Sequence, residues 1–462
     1  MIRHLATTEA NPWVEQPAPA FGAPRRMPAS LISTADRLQE IEGFGATFNE
    51  LGWDALNLLD AETRAAAFDE LFAPGDGLGL TRCRMPLGAN DFSRDWYSYD
   101  ETPGDHDLAD FSIANDLDTL VPFIREAKAR QPELTLWASP WSPPTWMKNN
   151  GHYACAKPRI DNRVDNGIRD DQVRAENTDT FLVDDEQMLA TYARYFGAFI
   201  DAYRALGIEV DTVMPQNEWN SAQPFPSCTW TPEGLAAFVR HLGPQMQARG
   251  VDVFLGTLER ADFRQVERVL ADSRAARWIK GVGAQWAGKG AVPLLNELHP
   301  ELGLYQTEQE CGDGRNDWRL ARHAFRLMKH FLTNGVSAYT YWNIALQTGG
   351  VSRWGWSQNS LFSVDPETRE LTRNHELYAL KHVSGFVRPG AHALRALTYT
   401  GHEDVMAFVN PDGSVVIVML NDVASEQEVG LMVDGRVFTA TLPGDSLNTF
   451  VLPPAEPVEP AE

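Results

Sequence analysis

Residues 211–219, Asp-Thr-Val-Met-Pro-Gln-Asn-Glu-Trp, join a short apolar run to side chains that could work on a sugar. The run reads as a buried strand, and the polar cluster after it as the strand's C-terminal end opening into a site. There the carboxyl of Glu218 can move a proton, the amide of Asn217 can hold a hydroxyl, and the indole of Trp219 can stack on a ring. The bland alternative is a strand that ends in a surface turn with Glu218 merely solvated. A second strand, at 303–308, ends in another carboxylate, Glu308, ninety residues further on. Two carboxyls on two strand ends are what hydrolysis of a glycosidic bond employs.

The elements that would hold such a pair alternate along the chain. Strands are expected over 39–50, 81–92, 134–146, 251–258, 281–286, 303–308 and 336–343, besides the one ending at Glu218. Helical patterns over 117–129, 188–206, 235–249, 266–277, 294–302 and 318–333 fall between them. About eight such repeats across 40–372 demand parallel strands with helical crossovers, and favour a closed (β/α)8 TIM barrel over an open sheet. In that fold the polar residues after the strands gather on one face. The patternless polar stretch 150–185 reads as a lid or binding loop on the leaving-group side, or as disorder.

After residue 375 the style changes to short β-branched runs parted by Asn-Pro-Asp-Gly and Pro-Gly-Asp-Ser turns, the mark of an antiparallel side β-sandwich. The division expected is an N-terminal arm over 1–38, a barrel over 39–374, a sandwich over 375–453 and a disordered acidic tail over 454–462.

The net charge of −23 argues against a nucleic-acid partner. Cys83, Cys155, Cys228 and Cys311 are scattered, without metal-ligand spacing, and read as buried thiols, with a disulfide left open. Fourteen tryptophans are more than packing usually requires. No apolar run is long enough for a membrane span. The first residues lack the basic and apolar segments of a secretory signal, so the expected location is cytoplasmic.

In order along the chain, 43–50 (Gly-Phe-Gly-Ala-Thr-Phe-Asn-Glu), 84–93 (Arg-Met-Pro-Leu-Gly-Ala-Asn-Asp-Phe-Ser) and 138–148 (Ala-Ser-Pro-Trp-Ser-Pro-Pro-Thr-Trp-Met-Lys) carry a resemblance. It continues through Gln216-Asn217-Glu218, 224–233, 305–308, Tyr341-Trp342-Asn343 and 354–359. Together these segments resemble glycoside hydrolase family 30, the family of the glucosylceramidases and their bacterial relatives. The resemblance implies a retaining β-glycosidase on a (β/α)8 barrel, with a side β-sandwich that takes a strand from the N-terminal arm. It implies no metal or organic cofactor.

Carried over residue by residue, Glu218 is similar to the acid/base, Asn217 to the neighbour that holds the sugar 2-hydroxyl, and Glu308 to the nucleophile. Trp141, Trp342 and Trp356 match pocket-lining positions, and Asn90 and Asp91 match the site floor. Gln285 stands where the glucosylceramidase branch has a histidine. Arg84 is expected to orient a carboxylate.

Two departures matter. The family's nucleophile is commonly followed by one residue and then a cysteine, whereas here Gln309 and Glu310 precede Cys311. Glu308 and Glu310 share strand parity, so both could face inward; Glu308 is favoured because the Thr-Glu step matches. Glu50 replaces an aspartate that binds glucose hydroxyls in the glucosylceramidase branch, with Asn49 a possible substitute. The expected substrates are β-glucosides, from glucosylceramide-like lipids to β-1,6-glucans. A β-xylosidase or β-fucosidase is the alternative within the family, and a non-catalytic carbohydrate-binding protein the alternative outside it. Exo or endo action and the oligomeric state are left open.

Overall fold

The computed structural model describes residues 1–23, 27–159, 164–399 and 401–454. Of the acidic tail expected over 454–462, all but Pro454 lies outside them.

Eight parallel strands close into a barrel. In chain order they are β1 Gly43–Thr47, β2 Arg82–Pro86, β3 Thr135–Ser139, β4 Thr212–Val213, β5 Asp252–Leu258, β6 Ile279–Ala284, β7 Gly303–Gln306 and β8 Val336–Gln347. Each pairs with its sequence neighbour, and β8 pairs with both β1 and β7, so the barrel has no open edge. Helices cover the strands on one face and packed side chains on the other, which is why the strands read as near-continuous apolar runs.

Trp137, Met214, Phe254, Tyr305 and Ala338 plug the barrel interior. The plug needs glycine beside it. A Cβ at Gly256 or Gly283 would lie 2.7 or 2.5 Å from the Met214 sulfur.

Most of the surrounding helices begin at side-chain caps. Asp60 Oδ1 accepts from the Thr63 N–H, Asp185 from Met188 and Thr231 from Gly234, satisfying donors the helix itself leaves free. The longest of them, Glu186–Ala205, buries Tyr192, Tyr195, Phe196, Phe199 and Tyr203. The helix expected over 266–277 is two, Phe263–Leu270 and Ser273–Ala276, because Asp272 starts a new cap on Arg274. The described residues of the segment 150–185 have little regular structure but are well anchored. They pack over buried Lys148, whose ammonium donates to Ser142 Oγ, Tyr153 O and Ser227 O.

A nine-stranded sheet forms the second layer system. Ser30–Ile41 lies inside it, antiparallel to Ala391–Thr398 and parallel to Gln427–Val433, while Arg3–Thr8 pairs with Ser446–Leu452. The single strand expected over 39–50 is therefore three things. A sandwich strand ends at Ile41, β1 starts at Gly43, and Glu50 already begins a helix. The crossing at Glu42 shows in the pairing partners, Ile41 with Ala391 and Gly43 with Ala338.

The two parts meet at the helix His375–Ser384. His382 is fully buried, with Nδ1 2.8 Å from Thr449 Oγ1 and Nε2 2.9 Å from Thr7 Oγ1. Burial first, and then neighbouring His4 and Lys381, hold its pKa down at about 3. Among the described residues, no helix is long and apolar enough to cross a membrane.

Because folded His382 resists a proton that the unfolded chain accepts near pH 6.5, its contribution is complete above that pH and is lost as pH falls. We expect the stability lost between pH 7 and 4 to be about 3 kcal/mol smaller in His382→Asn than in the wild type. Urea unfolding at the two pH values measures the difference.

Candidate active site

At the C-terminal ends of the barrel strands lies a cavity of about 120 Å³. Asp91, Trp141, Asn217, Glu218, Glu308 and Trp356 all line it, so the barrel brings together six expected site residues from distant parts of the chain.

Arg84, on β2, holds the floor together. Its guanidinium is fully buried; Nη1 donates to Glu308 Oε2 at 2.8 Å and to Thr307 O, and Nη2 to Asn217 Oδ1 at 2.7 Å and Ser139 Oγ at 2.9 Å. The indoles of Trp137, Trp141 and Trp342 surround it, with the guanidinium carbon 4.8, 4.2 and 5.7 Å from their ring centres. Trp141 stacks on Trp342 at 5.4 Å.

The two carboxyls have unequal surroundings. Glu308 Oε1 accepts from the indole N–H of Trp286 at 2.8 Å, so each of its oxygens has a donor. Burial raises its pKa, and Arg84 and Trp286 pull it back. Glu218 has no cation at hydrogen-bond distance among the described residues. Oε2 accepts from Gln223 Nε2 at 2.7 Å and Oε1 from Gln285 Nε2 at 3.2 Å. Burial, followed by the charges of Glu259, Glu308 and Asp91, raises it well above the ordinary carboxyl range. Burial and then Glu308 push Asp91 up to about 8, and its Oδ1 is buried without a hydrogen-bond partner.

Backbone strain sits here as well. Glu218 and Trp286 have φ of +50° and +47°, a region costly for side chains of this size. Glu218 is held by its own N–H, which donates to Thr257 Oγ1 at 2.8 Å. Asn217 is aligned by the bonds that converge on its Oδ1 from Arg84, Thr257 and Gln285, which leaves its amide nitrogen for a ligand.

The remaining expected residues lie elsewhere. Gln285 is a layer behind, bridging Glu218, Asn217 and Thr307. Trp342 is wholly buried under Trp141. Asn90 turns its Oδ1 back to the Phe92 N–H. Glu50 does not line the cavity; its oxygens accept from Asn115, Thr119 and the Arg94 N–H, which fastens the following loop. Asn49 is committed as well, capping a helix at Gly52 and donating to Asn343. Glu310 also turns away from the cavity. Burial would raise it, but His323 and Lys289 outweigh burial and hold it at about 2. The four cysteines are free and buried, and burial first, then neighbouring carboxyls, raise the Cys311 thiol well above its usual range.

Arg159, Gln223, Phe225, Glu259, Arg260, Trp286 and Gln358 also line the cavity and were not expected there. Glu259 and Trp286 carried a usable signal, since each follows a barrel strand closely.

Residues 41–387 match the Glycosyl hydrolase family 30 TIM-barrel domain, and residues 396–450 match the family 30 beta sandwich domain. The chain belongs to glycosyl hydrolase family 30. It is a glycoside hydrolase, and its substrate is a carbohydrate. It is 28% identical over 447 residues to lysosomal acid glucosylceramidase of Mus musculus, covering 90% of this chain and 81% of that protein. To endo-1,6-beta-D-glucanase neg1 of Aspergillus fumigatus it is 26% identical, over 90% of this chain and 86% of that one. The solved structure of SrfJ from Salmonella typhimurium has the same fold, with a TM-score of 0.86 at 24% identity over 98% of this chain and 100% of that one.

Replacing Arg84 by Met removes the cation that favours ionised Glu308. The Glu308 pKa must then rise, and the acid limb of kcat/KM should move to higher pH by about 1 unit or more. Arg84→Lys, which keeps the charge and loses the fork, should fall between Met and the wild type. The pH–rate profiles decide, with circular dichroism as the check on folding.

Proposed function

We propose that this family 30 enzyme hydrolyses β-glucosides with retention, Glu308 acting as nucleophile and Glu218 as acid and then base. One observation carries the reading: two carboxyls face one cavity, one clamped by a guanidinium and an indole N–H, the other pushed toward its neutral form.

Glu308 attacks the anomeric carbon while protonated Glu218 gives its proton to the departing glycosidic oxygen. The C–O bond to the leaving group breaks as the ester bond to Glu308 forms. With Glu308 esterified its negative charge is gone, the Glu218 pKa drops, and Glu218 becomes the base for the incoming water. Water adds at the anomeric carbon, its proton passes to Glu218, and Glu308 leaves as carboxylate. Throughout, the free amide nitrogen of Asn217 is available to the sugar 2-hydroxyl, Asp91 to another hydroxyl, and Trp141 to the ring face. The choice of glucose is supported by the relatives, which are named for glucosylceramide and for 1,6-β-glucan.

A 2-deoxy-2-fluoro-β-glucoside should trap an ester on Glu308, located by peptide mass. An adduct on Glu310, or turnover with inversion, would overturn the assignment. Glu218→Ala should lower kcat/KM about 10²–10⁴-fold on glucosides with poor leaving groups. Since Glu218 must start protonated and its pKa is raised, the alkaline fall of wild-type kcat/KM should come only as pH climbs through that raised value, well above the usual carboxyl range. A pH–rate profile with its alkaline limb near an ordinary carboxyl pKa would contradict this.

A further inference from the structure

Beside the acid, the cavity wall is ionic and comes from three separate segments. Asn220 Oδ1 accepts from the N–H groups of Glu259 at 3.1 Å and Arg260 at 3.3 Å, fastening that corner to the turn bearing Glu218. Gln223 links a second cation, donating to Glu218 Oε2 and accepting from Arg159 Nη2 at 3.2 Å. Arg260 then spans Glu259 Oε1 at 2.8 Å and Glu176 Oε1 at 2.6 Å, reaching into the 150–185 segment. The nucleophile has none of these neighbours; Arg84 and Trp286 hold it.

An acid must touch the glycosidic oxygen, so the wall beside Glu218 faces the departing group. We propose that this wall selects a hydroxylated sugar as leaving group in preference to a lipid chain, with Glu259 as the specificity-determining residue. The inference rests on the glucoside reading above.

Glu259 is only 7% exposed, and its Oε2, although 2.7 Å from Arg260, makes no well-aligned hydrogen bond. A sugar hydroxyl can donate to that oxygen, and Arg159 can donate to the next hydroxyl. An alkyl chain would strip water from a carboxylate and two guanidiniums and return no bond. Phe225, set edge-on to Trp356 at 6.3 Å, leaves an apolar face against which the sugar's C–H groups can lie.

The test compares kcat/KM on a β-1,6-linked glucose tetramer, octyl β-glucoside below its micelle concentration, and 2,4-dinitrophenyl β-glucoside, whose leaving group requires no proton. The wild type should prefer the tetramer to the octyl glucoside by about 10-fold or more, and Glu259→Leu should cut that preference by about 10-fold. Glu259→Gln, which keeps an acceptor, should retain most of it, and guards against a Leu variant that fails to fold. Equal or better turnover of the octyl glucoside by the wild type, or an unchanged preference in both variants, would overturn the inference. Failure of the wild type on the dinitrophenyl glucoside would instead strike the glucoside reading beneath it.

Discussion

The site depends on a guanidinium that cannot reach water. Arg84 is charged and fully buried, and a charge in that position is tolerable only when most of its donors end on good acceptors, as both of its terminal nitrogens do. Glu308, Asn217, Ser139 and the Thr307 carbonyl supply them, and they come from three different barrel strands or the turns that follow. Each partner is therefore positioned by the same demand. Moving any of them leaves a cation uncompensated, so the electrostatic cost of Arg84 becomes geometric order in the site.

Strand β2 uses the same device twice. Arg82 and Arg84 share strand parity, and Arg82 serves the opposite end of the barrel, donating to Asp211 at 2.8 Å, to Thr212 and to Thr135. Between the two arginines lies the apolar plug of Trp137, Met214, Phe254 and Tyr305. One arginine organises the end where the sandwich strand enters; the other organises the end that holds the candidate site.

Division of labour between the carboxyls follows from what is near each one. Glu308 has a cation and a neutral donor, so ionisation has support. Glu218 has amides and three acidic neighbours, so protonation is favoured. Glu310 has His323 and Lys289, which fix it as an ordinary ion-paired carboxylate turned from the cavity. The proposed acid, the proposed nucleophile and the bystander are the same functional group, distinguished by their surroundings alone.

Much of this was legible in the sequence. The (β/α) rhythm announced the barrel because a strand buried on both faces must be apolar and its crossover helix amphipathic. The Asn217–Glu218 step and Glu308 were legible because a strand's end is where apolar text gives way to polar text. What the tertiary structure alone decided begins where those patterns stop. β7 ends at Gln306, so parity no longer governs Glu308 and Glu310, and only Arg84 on one side and Lys289 on the other separate them. Glu50 sits beyond β1, where Asn115 and the Arg94 backbone claim it. The Glu259–Arg260 wall and the crossing at Glu42 depend on contacts between segments far apart in the chain. A sequence records which residues are apolar and how often, and so determines the elements and their ends. Which charge finds which partner is settled only when the barrel closes, because the energy of a buried charge belongs to its surroundings and not to the residue.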